Sequence, residues 1–444
     1  MNSPRIRRCA PRAAAIAAWA ACVAFATLTS ATTALAQQAQ PPHKRHGSAP
    51  SLTMAKPAAV GMSAERLELL TRAFEKEVAD KALPGVNIMV ARKGRVVYAK
   101  AFGVREPGKA DPMAMDTLFR IYSMTKPMAT VAAMILVDEG KLQISDPVSK
   151  FFPAFKDMKV VTPNGEVPAR PMLVQDLMRH TSGIGYGEIT QNPVVKEAYA
   201  KAGLYKPGVI DFDVRDLSPA DMVDRLSKIP LLHQPNTAWE YSLSTDLLGR
   251  VVEAASGKRL GDFMAERLFK PLKMNETAFA VAPEKMGRLA QPFDKDPVTG
   301  NPFKLIDVSK PPANDSAGAG AVSTTPDYLR FAQMMLDGGM LDGKRILSRT
   351  TVRWMTSDHH GPRITGEPAP GYTFGLGFAV RKGDGLSFSA GTAGDYNWGG
   401  YAGTVFWIDP KEQLVAVMMM QSPGSQRLYH RNLLRQLVYQ AIVD

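Results

Sequence analysis

The chain has 444 residues, 45% hydrophobic and 22% charged, so it can bury a large core without covalent staples. Its formal charge of +12 is spread along the sequence and joins no nucleic-acid-binding module, which argues against a nucleic-acid partner. The seven histidines show no His-x-His or His-Glu-x-x-His spacing, so metal-dependent hydrolysis has no support and no metal or other cofactor is expected.

The first residues read as a targeting segment. Arg5, Arg7, Arg8 and Arg12 precede an Ala-rich apolar run from Ala13 to Leu28, and Ala34-Leu35-Ala36 supplies the small residues a signal peptidase recognises. Residues 1–36 are therefore expected to be a signal peptide cut between Ala36 and Gln37, giving a periplasmic or secreted protein. Cleavage removes four arginines, taking the formal charge from +12 to +8, and both cysteines, Cys9 and Cys22. The mature chain then has no disulfide, no thiol nucleophile and no thiolate metal site. Residues 37–52, rich in Gln, Pro and Ala, read as a flexible linker.

Ser63 can cap a helix whose Leu67, Leu70, Phe74 and Val78 recur at helical spacing. After Pro84-Gly85, the runs Val86–Ala91 and Arg95–Phe102 form a hairpin turning at Lys93-Gly94. From Asp116 to Thr356 the pattern is mainly helical. Strand signals return at Thr373–Val380, Leu386–Ala390, Gly400–Ile408 and Gln413–Met420, before a final amphipathic helix carrying Leu433, Leu434, Leu437, Val438 and Ile442. Met418-Met419-Met420 reads as core strand. Strands at both ends with helices between them predict an α/β (α+β) fold. One antiparallel sheet is built from residues 53–110 and 365–444, and residues 111–364 form an all-helical subdomain, with the active site between the two.

The chemistry concentrates at Ser123-Met124-Thr125-Lys126, the only Ser-x-x-Lys in the chain. Pro127 is tolerated only near a helix start, so the helix begins close to Ser123, where unpaired N–H groups and the helix dipole favour negative charge. Three residues on, Lys126 shares a helix face with Ser123 and can take its proton. Tyr241, within Trp239-Glu240-Tyr241-Ser242-Leu243-Ser244, precedes a helix near Thr245 and can shuttle a proton if a lysine lowers its pKa. Trp398-Gly399-Gly400-Tyr401 enters a β-rich run, where glycines let substrate approach a backbone whose N–H can hold an oxyanion.

These three motifs, in this order, resemble the serine β-lactamase and penicillin-binding-protein superfamily, and most closely its family VIII esterases. The supporting phrases are Phe119-Arg120-Ile121-Tyr122, His180-Thr181-Ser182-Gly183-Ile184 and Gly320-Ala321-Val322-Ser323-Thr324, and the resemblance runs from about Val60 to the end. It implies a β-lactamase/transpeptidase-like fold in which Ser123 forms an acyl-enzyme and Lys126 and Tyr241 share the general-base work. The N–H groups of Ser123 and Tyr401 would form the oxyanion hole; which of Lys126 and Tyr241 is the resting base is open.

Two departures bear on substrate. Leu243 stands where penicillin-recognising enzymes commonly carry an Asn that bonds the substrate amide, and Trp398-Gly399-Gly400 lacks the cation that helps hold the antibiotic's carboxylate. Both remove polar recognition. The expectation is a carboxylic-ester hydrolase for short-chain or apolar acyl esters. Its rivals are amide, β-lactam or D-aminoacyl-peptide hydrolysis or acyl transfer on the same scaffold, and a catalytically silent acyl-ligand sensor. The absence of Gly-x-Ser-x-Gly argues against an α/β-hydrolase. His180 is expected to hold a loop, His359-His360 to be a solvated pair, and Phe293, Phe303 or Leu305 in the irregular segment 291–317 to shape an acyl pocket.

Overall fold

Among the described residues eight strands assemble into one sheet, and their order shows how early and late parts of the chain meet. The strands are β1 (Thr53–Met54), β2 (Gly85–Arg92), β3 (Arg95–Gly103), β4 (Tyr372–Phe374), β5 (Ala379–Arg381), β6 (Tyr396–Gly399), β7 (Val405–Asp409) and β8 (Leu414–Met420). Their spatial order is β1-β3-β2-β8-β7-β6-β5-β4. N-terminal β2 thus lies antiparallel to C-terminal β8, with Val86 opposite Met420 and Arg92 opposite Leu414. The computed structural model describes residues 52–207 and 213–444, which form one compact unit. The expected signal peptide, its two cysteines and nearly all of the linker lie outside the described residues.

Side chains alternate across the central strands, so the sheet is buried on both faces. Ile88, Val90, Met418 and Met420 point to one side, where they meet α1 (Ala64–Ala79) through Leu67, Leu70 and Phe74. The last helix, α5 (Arg427–Tyr439), joins that layer through Leu434 and Val438. Met89, Ala91, Val417 and Met419 point to the other side, into the larger core with α2 (Thr125–Asp138), α3 (Ser244–Ser256) and α4 (Thr325–Leu336). The expected cap is present: Ser63 Oγ accepts from the Arg66 N–H at 3.2 Å. Lys93 and Gly94 both take positive φ, 51° and 74°, as a two-residue hairpin turn requires.

The sheet departs from the sequence expectation in four places. It is mixed, because β1 pairs parallel to β3. Thr373–Val380 is two strands, folded back at Gly375-Leu376-Gly377; a side chain at Gly375 would lie 2.1 Å from the Met355 carbonyl oxygen. Leu386–Ala390 is no strand: the Ser389 and Ala390 carbonyls accept from the Arg381 guanidinium, both at 3.0 Å, instead of from a neighbouring strand. Gly400–Ile408 is also not continuous. Trp398-Gly399 ends β6, and a tight turn closed by Gly400 N–H to Thr404 O at 2.8 Å leads into β7. The motif therefore leaves a strand where the sequence suggested it enters one.

Candidate active site

The approach to Ser123 is built from buried polar anchors. Phe119–Arg120 pairs with Val322–Ser323, and the Ile121 N–H donates to Ala321 O at 3.0 Å, so the phrase beginning at Gly320 lies directly beside the phrase before the serine. The Arg120 guanidinium is buried and donates to the carbonyls of Ile306 at 2.7 Å and Ala290 at 3.1 Å. Tyr122 takes φ of 45°, uncommon for a residue with a side chain, and its hydroxyl accepts from the Ile306 N–H at 2.9 Å. This bend ends the strand and begins a 3₁₀ turn, Tyr122–Met124, that runs directly into α2. Ser123 thus occupies the opening turn, where backbone N–H groups have no intrahelical acceptor.

Three side chains converge there. The Tyr241 hydroxyl donates to Ser123 Oγ at 2.6 Å, and Lys126 Nζ donates to the same oxygen at 3.3 Å. Lys126 is 2% exposed, and its ammonium lies 4.7 Å from the centre of the Tyr241 ring. Its other partners are the Gly318 carbonyl at 2.9 Å and the Tyr186 hydroxyl at 3.0 Å. Among the described residues no carboxylate pairs with it directly. Asp246, on the first turn of α3, acts one step away: its Oδ1 accepts from Ser316 Oγ at 2.6 Å and from the Gly318 N–H at 3.1 Å. Gly318 must be glycine, since a Cβ would sit 2.2 Å from that carboxylate.

Tyr186 is the residue that the sequence reading missed, two positions beyond the phrase ending at Ile184. Burial pushes its phenol well above the ordinary value, with Tyr241 and Asp246 adding to the effect, so it stays protonated. His180 lies beneath Tyr241, ring centres 4.9 Å apart, and its Nδ1 shares a 3.0 Å hydrogen bond with Ser242 Oγ. Burial holds its pKa well below normal, with the Lys126 charge acting in the same direction, so the ring is neutral and braces the second motif. His360 overturns the expectation of a solvated pair: it is buried, stacked on Phe374 at 6.2 Å, and burial draws its pKa down to about 4. His359 Nε2 in turn bonds the Trp354 carbonyl at 2.8 Å.

Aromatic rings wall the tyrosine. Trp239 stacks on Tyr241 at 6.1 Å, and Trp398 packs on it at 5.5 Å and on Phe374 at 5.2 Å. Leu243 does not join this wall as expected. It is 2% exposed, because its place immediately before α3 turns it into the core. Leu305 and Tyr401 each pack against the cluster that holds Tyr122, whereas Phe303 lies against Gly424. Gly400 abuts the segment before Ser123: a Cβ there would come 2.2 Å from Ile121 O and 2.3 Å from Thr404 Oγ1. A cation does reach the third motif, but from α5: the Arg431 guanidinium lies against Gly399. Among the described residues no group of three or more His, Cys, Asp or Glu is placed to hold a metal ion, and no helix is long and apolar enough to cross a membrane.

A two-ended antiparallel core with Ser, Lys and Tyr gathered at the start of a buried helix defines a penicillin-recognising-enzyme type of fold. The chain belongs to the β-lactamase family, whose model matches residues 70–440. It is 33% identical over 373 residues to an uncharacterized protein of Mycobacterium tuberculosis, covering 78% of this chain and 88% of that one. With esterase EstB of Burkholderia gladioli it shares 29% over 375 residues, covering 80% and 90%. Among solved structures it resembles EstCE1, described as a hydrolase with promiscuous acyltransferase activity. The TM-score is 0.70 at 26% identity, covering 84% of this chain and 99% of that one.

Proposed function

We propose that this protein is a serine-dependent carboxylic-ester hydrolase that acts through an acyl-enzyme on short-chain or apolar acyl esters. The observation that carries the reading is the meeting of Tyr241 OH and Lys126 Nζ on Ser123 Oγ. A serine hydroxyl is a poor nucleophile until a neighbouring base accepts its proton, and two such groups are within reach here. Ser123 Oγ attacks the ester carbonyl while Lys126 and Tyr241 share the proton released. The N–H groups of Ser123 and Tyr401 hold the oxyanion, and Tyr241 returns the proton to the departing alkoxide. Water then attacks the acyl-enzyme by the reverse route.

Preference for esters rests on what surrounds the serine. The rings of Trp239 and Trp398 present an apolar surface beside Tyr241. The names of EstB and EstCE1 agree with this reading. Acyl transfer to an alcohol is the second reading, favoured by the same apolar wall. Export with cleavage after Ala36 completes the proposal and is checked by the N-terminus of the mature protein.

Purified protein is expected to hydrolyse p-nitrophenyl acetate and butyrate far better than a chromogenic cephalosporin or a D-Ala peptide. The reverse order would overturn the ester assignment. Ser123→Ala should lower ester turnover by about 10⁴-fold or more; near-normal turnover would remove Ser123 from the role of nucleophile.

A further inference from the structure

The third motif has no cation of its own, yet Arg431 reaches it from the C-terminal helix. Its Nη2 donates to the Gly400 carbonyl and, at 3.0 Å, to the Thr404 carbonyl; its Nε donates to Gly403 O at 3.4 Å. All three acceptors belong to the β6–β7 turn. The guanidinium also explains Gly399, where a Cβ would come 2.8 Å from its central carbon. Among the described residues it pairs with no carboxylate, unlike its helix neighbour Arg435, which pairs with Asp395. Burial and the nearby Arg427 charge draw its pKa down to about 9, with Tyr241 opposing them. A partly buried cation that neutralises no acid is costly, and backbone carbonyls are the groups it satisfies.

The geometry of one peptide unit gives this contact its meaning. Gly400 C=O and Tyr401 N–H belong to the same planar trans peptide, so fixing the carbonyl fixes the N–H on the opposite edge. A charge-assisted bond to the carbonyl also polarises the unit and strengthens its N–H as a donor. The other side of this peptide is anchored to the nucleophile segment, because Thr404 Oγ1 donates to Ile121 O at 3.3 Å and Gly400 abuts that oxygen.

We propose that Arg431 is a positioning residue of the oxyanion hole: through the Gly400 carbonyl it orients and strengthens the Tyr401 N–H. This rests on the acyl-enzyme reading above, in which Tyr401 supplies that N–H. Arg431 touches no reacting atom, so its effect is confined to the transition state.

The test compares Arg431→Ala and Arg431→Lys with Asn432→Ala, an exposed change on the same helix, in p-nitrophenyl butyrate hydrolysis. Inhibition by a boronic acid whose tetrahedral adduct fills the oxyanion hole is measured in parallel. Arg431→Ala should lower kcat by about 10- to 100-fold and leave KM within about threefold. Boronate affinity should weaken by the same factor as kcat/KM, and millimolar guanidinium chloride should restore part of the lost rate. Lysine cannot fork to two carbonyls and should recover only part of kcat. Asn432→Ala should match the parent. If Arg431→Ala does not fold, Arg431→Lys carries the test. A folded Arg431→Lys, or a folded Arg431→Ala, with unchanged kcat and boronate affinity overturns the proposal. So does a rise in KM at constant kcat. If Ser123→Ala abolishes turnover while Arg431 variants keep it, only this inference fails; if Ser123→Ala keeps turnover, the acyl-enzyme reading itself fails.

Discussion

Two fastenings meet at Ile121, and they are built differently. The Ser123 cluster is held through side chains: Ser123 and Lys126 share one helix start, and the Lys126 ammonium is pinned by the Gly318 carbonyl and the Tyr186 phenol within a buried core. The β6–β7 turn is held through its backbone, by a guanidinium from the last helix and by close approach to Ile121. In the first region the reactive groups are a light addition to packing that stands without them. In the second, backbone placement is both structure and function. Loss of chemistry and loss of stability should therefore separate in one region and coincide in the other.

The sharpest break is Tyr241→Phe. The hydroxyl bonds Ser123 Oγ, while the ring is held by Trp239, Trp398 and His180, all contacts that phenylalanine keeps. Ester turnover should fall by about 10²- to 10⁴-fold, the range for removing a general acid–base group, with an unchanged thermal midpoint. A variant that lost both would show the tyrosine to be a structural strut.

Gly400→Ala tests the other region. The new methyl must displace Ile121 O and Thr404 Oγ1, and overpacking of this kind costs about 1–3 kcal/mol. Both midpoint and kcat should drop together, kcat by about tenfold or more if the Tyr401 N–H moves off line. A stable variant with full activity would mean that the turn tolerates displacement and positions nothing.

The mildest effect sharpens the contrast through pH. His360 has a folded pKa drawn down to about 4 from an ordinary 6.5, so between these values the unfolded chain binds more protons. Stability should be full above about pH 6.5 and should decline as pH falls towards 4; buried His180 adds in the same direction. His360→Gln should flatten the fall of thermal midpoint between pH 6.5 and 4 and leave kcat near the parent at pH 8. An unchanged slope would remove His360 as a source of acid lability.

Legibility in the sequence follows the same division. Ser123 and Lys126 are readable because their relation is a helix period, and Tyr241 because its motif precedes a helix start. The end strands are readable because Val86–Ala91 and Gln413–Met420 are continuous apolar runs. Tyr186 and Gly318 reach Lys126 only through folding, and no local spacing announces them. Leu243 was misplaced because a residue beside a motif can turn inward at a helix start. Arg431 lies in a stretch that reads as an ordinary amphipathic helix, and its partners are backbone carbonyls, which leave no trace in composition. Leu386–Ala390 alternates like a strand, but Arg381 takes its carbonyls.

The pairing of β2 with β8 also orders events during folding. β8 and the helix that clamps the turn both follow Ser123, Lys126 and Tyr241 in the chain. A chain cut short before β8 keeps those three residues but lacks the partner strand for β2 and the Arg431 contact to Gly400. Closing so distant a strand pair is slow, because the loop entropy is lost before the contact rewards it. The central strand pair thus ties the surroundings of Ser123 to a segment that lies far from it in sequence.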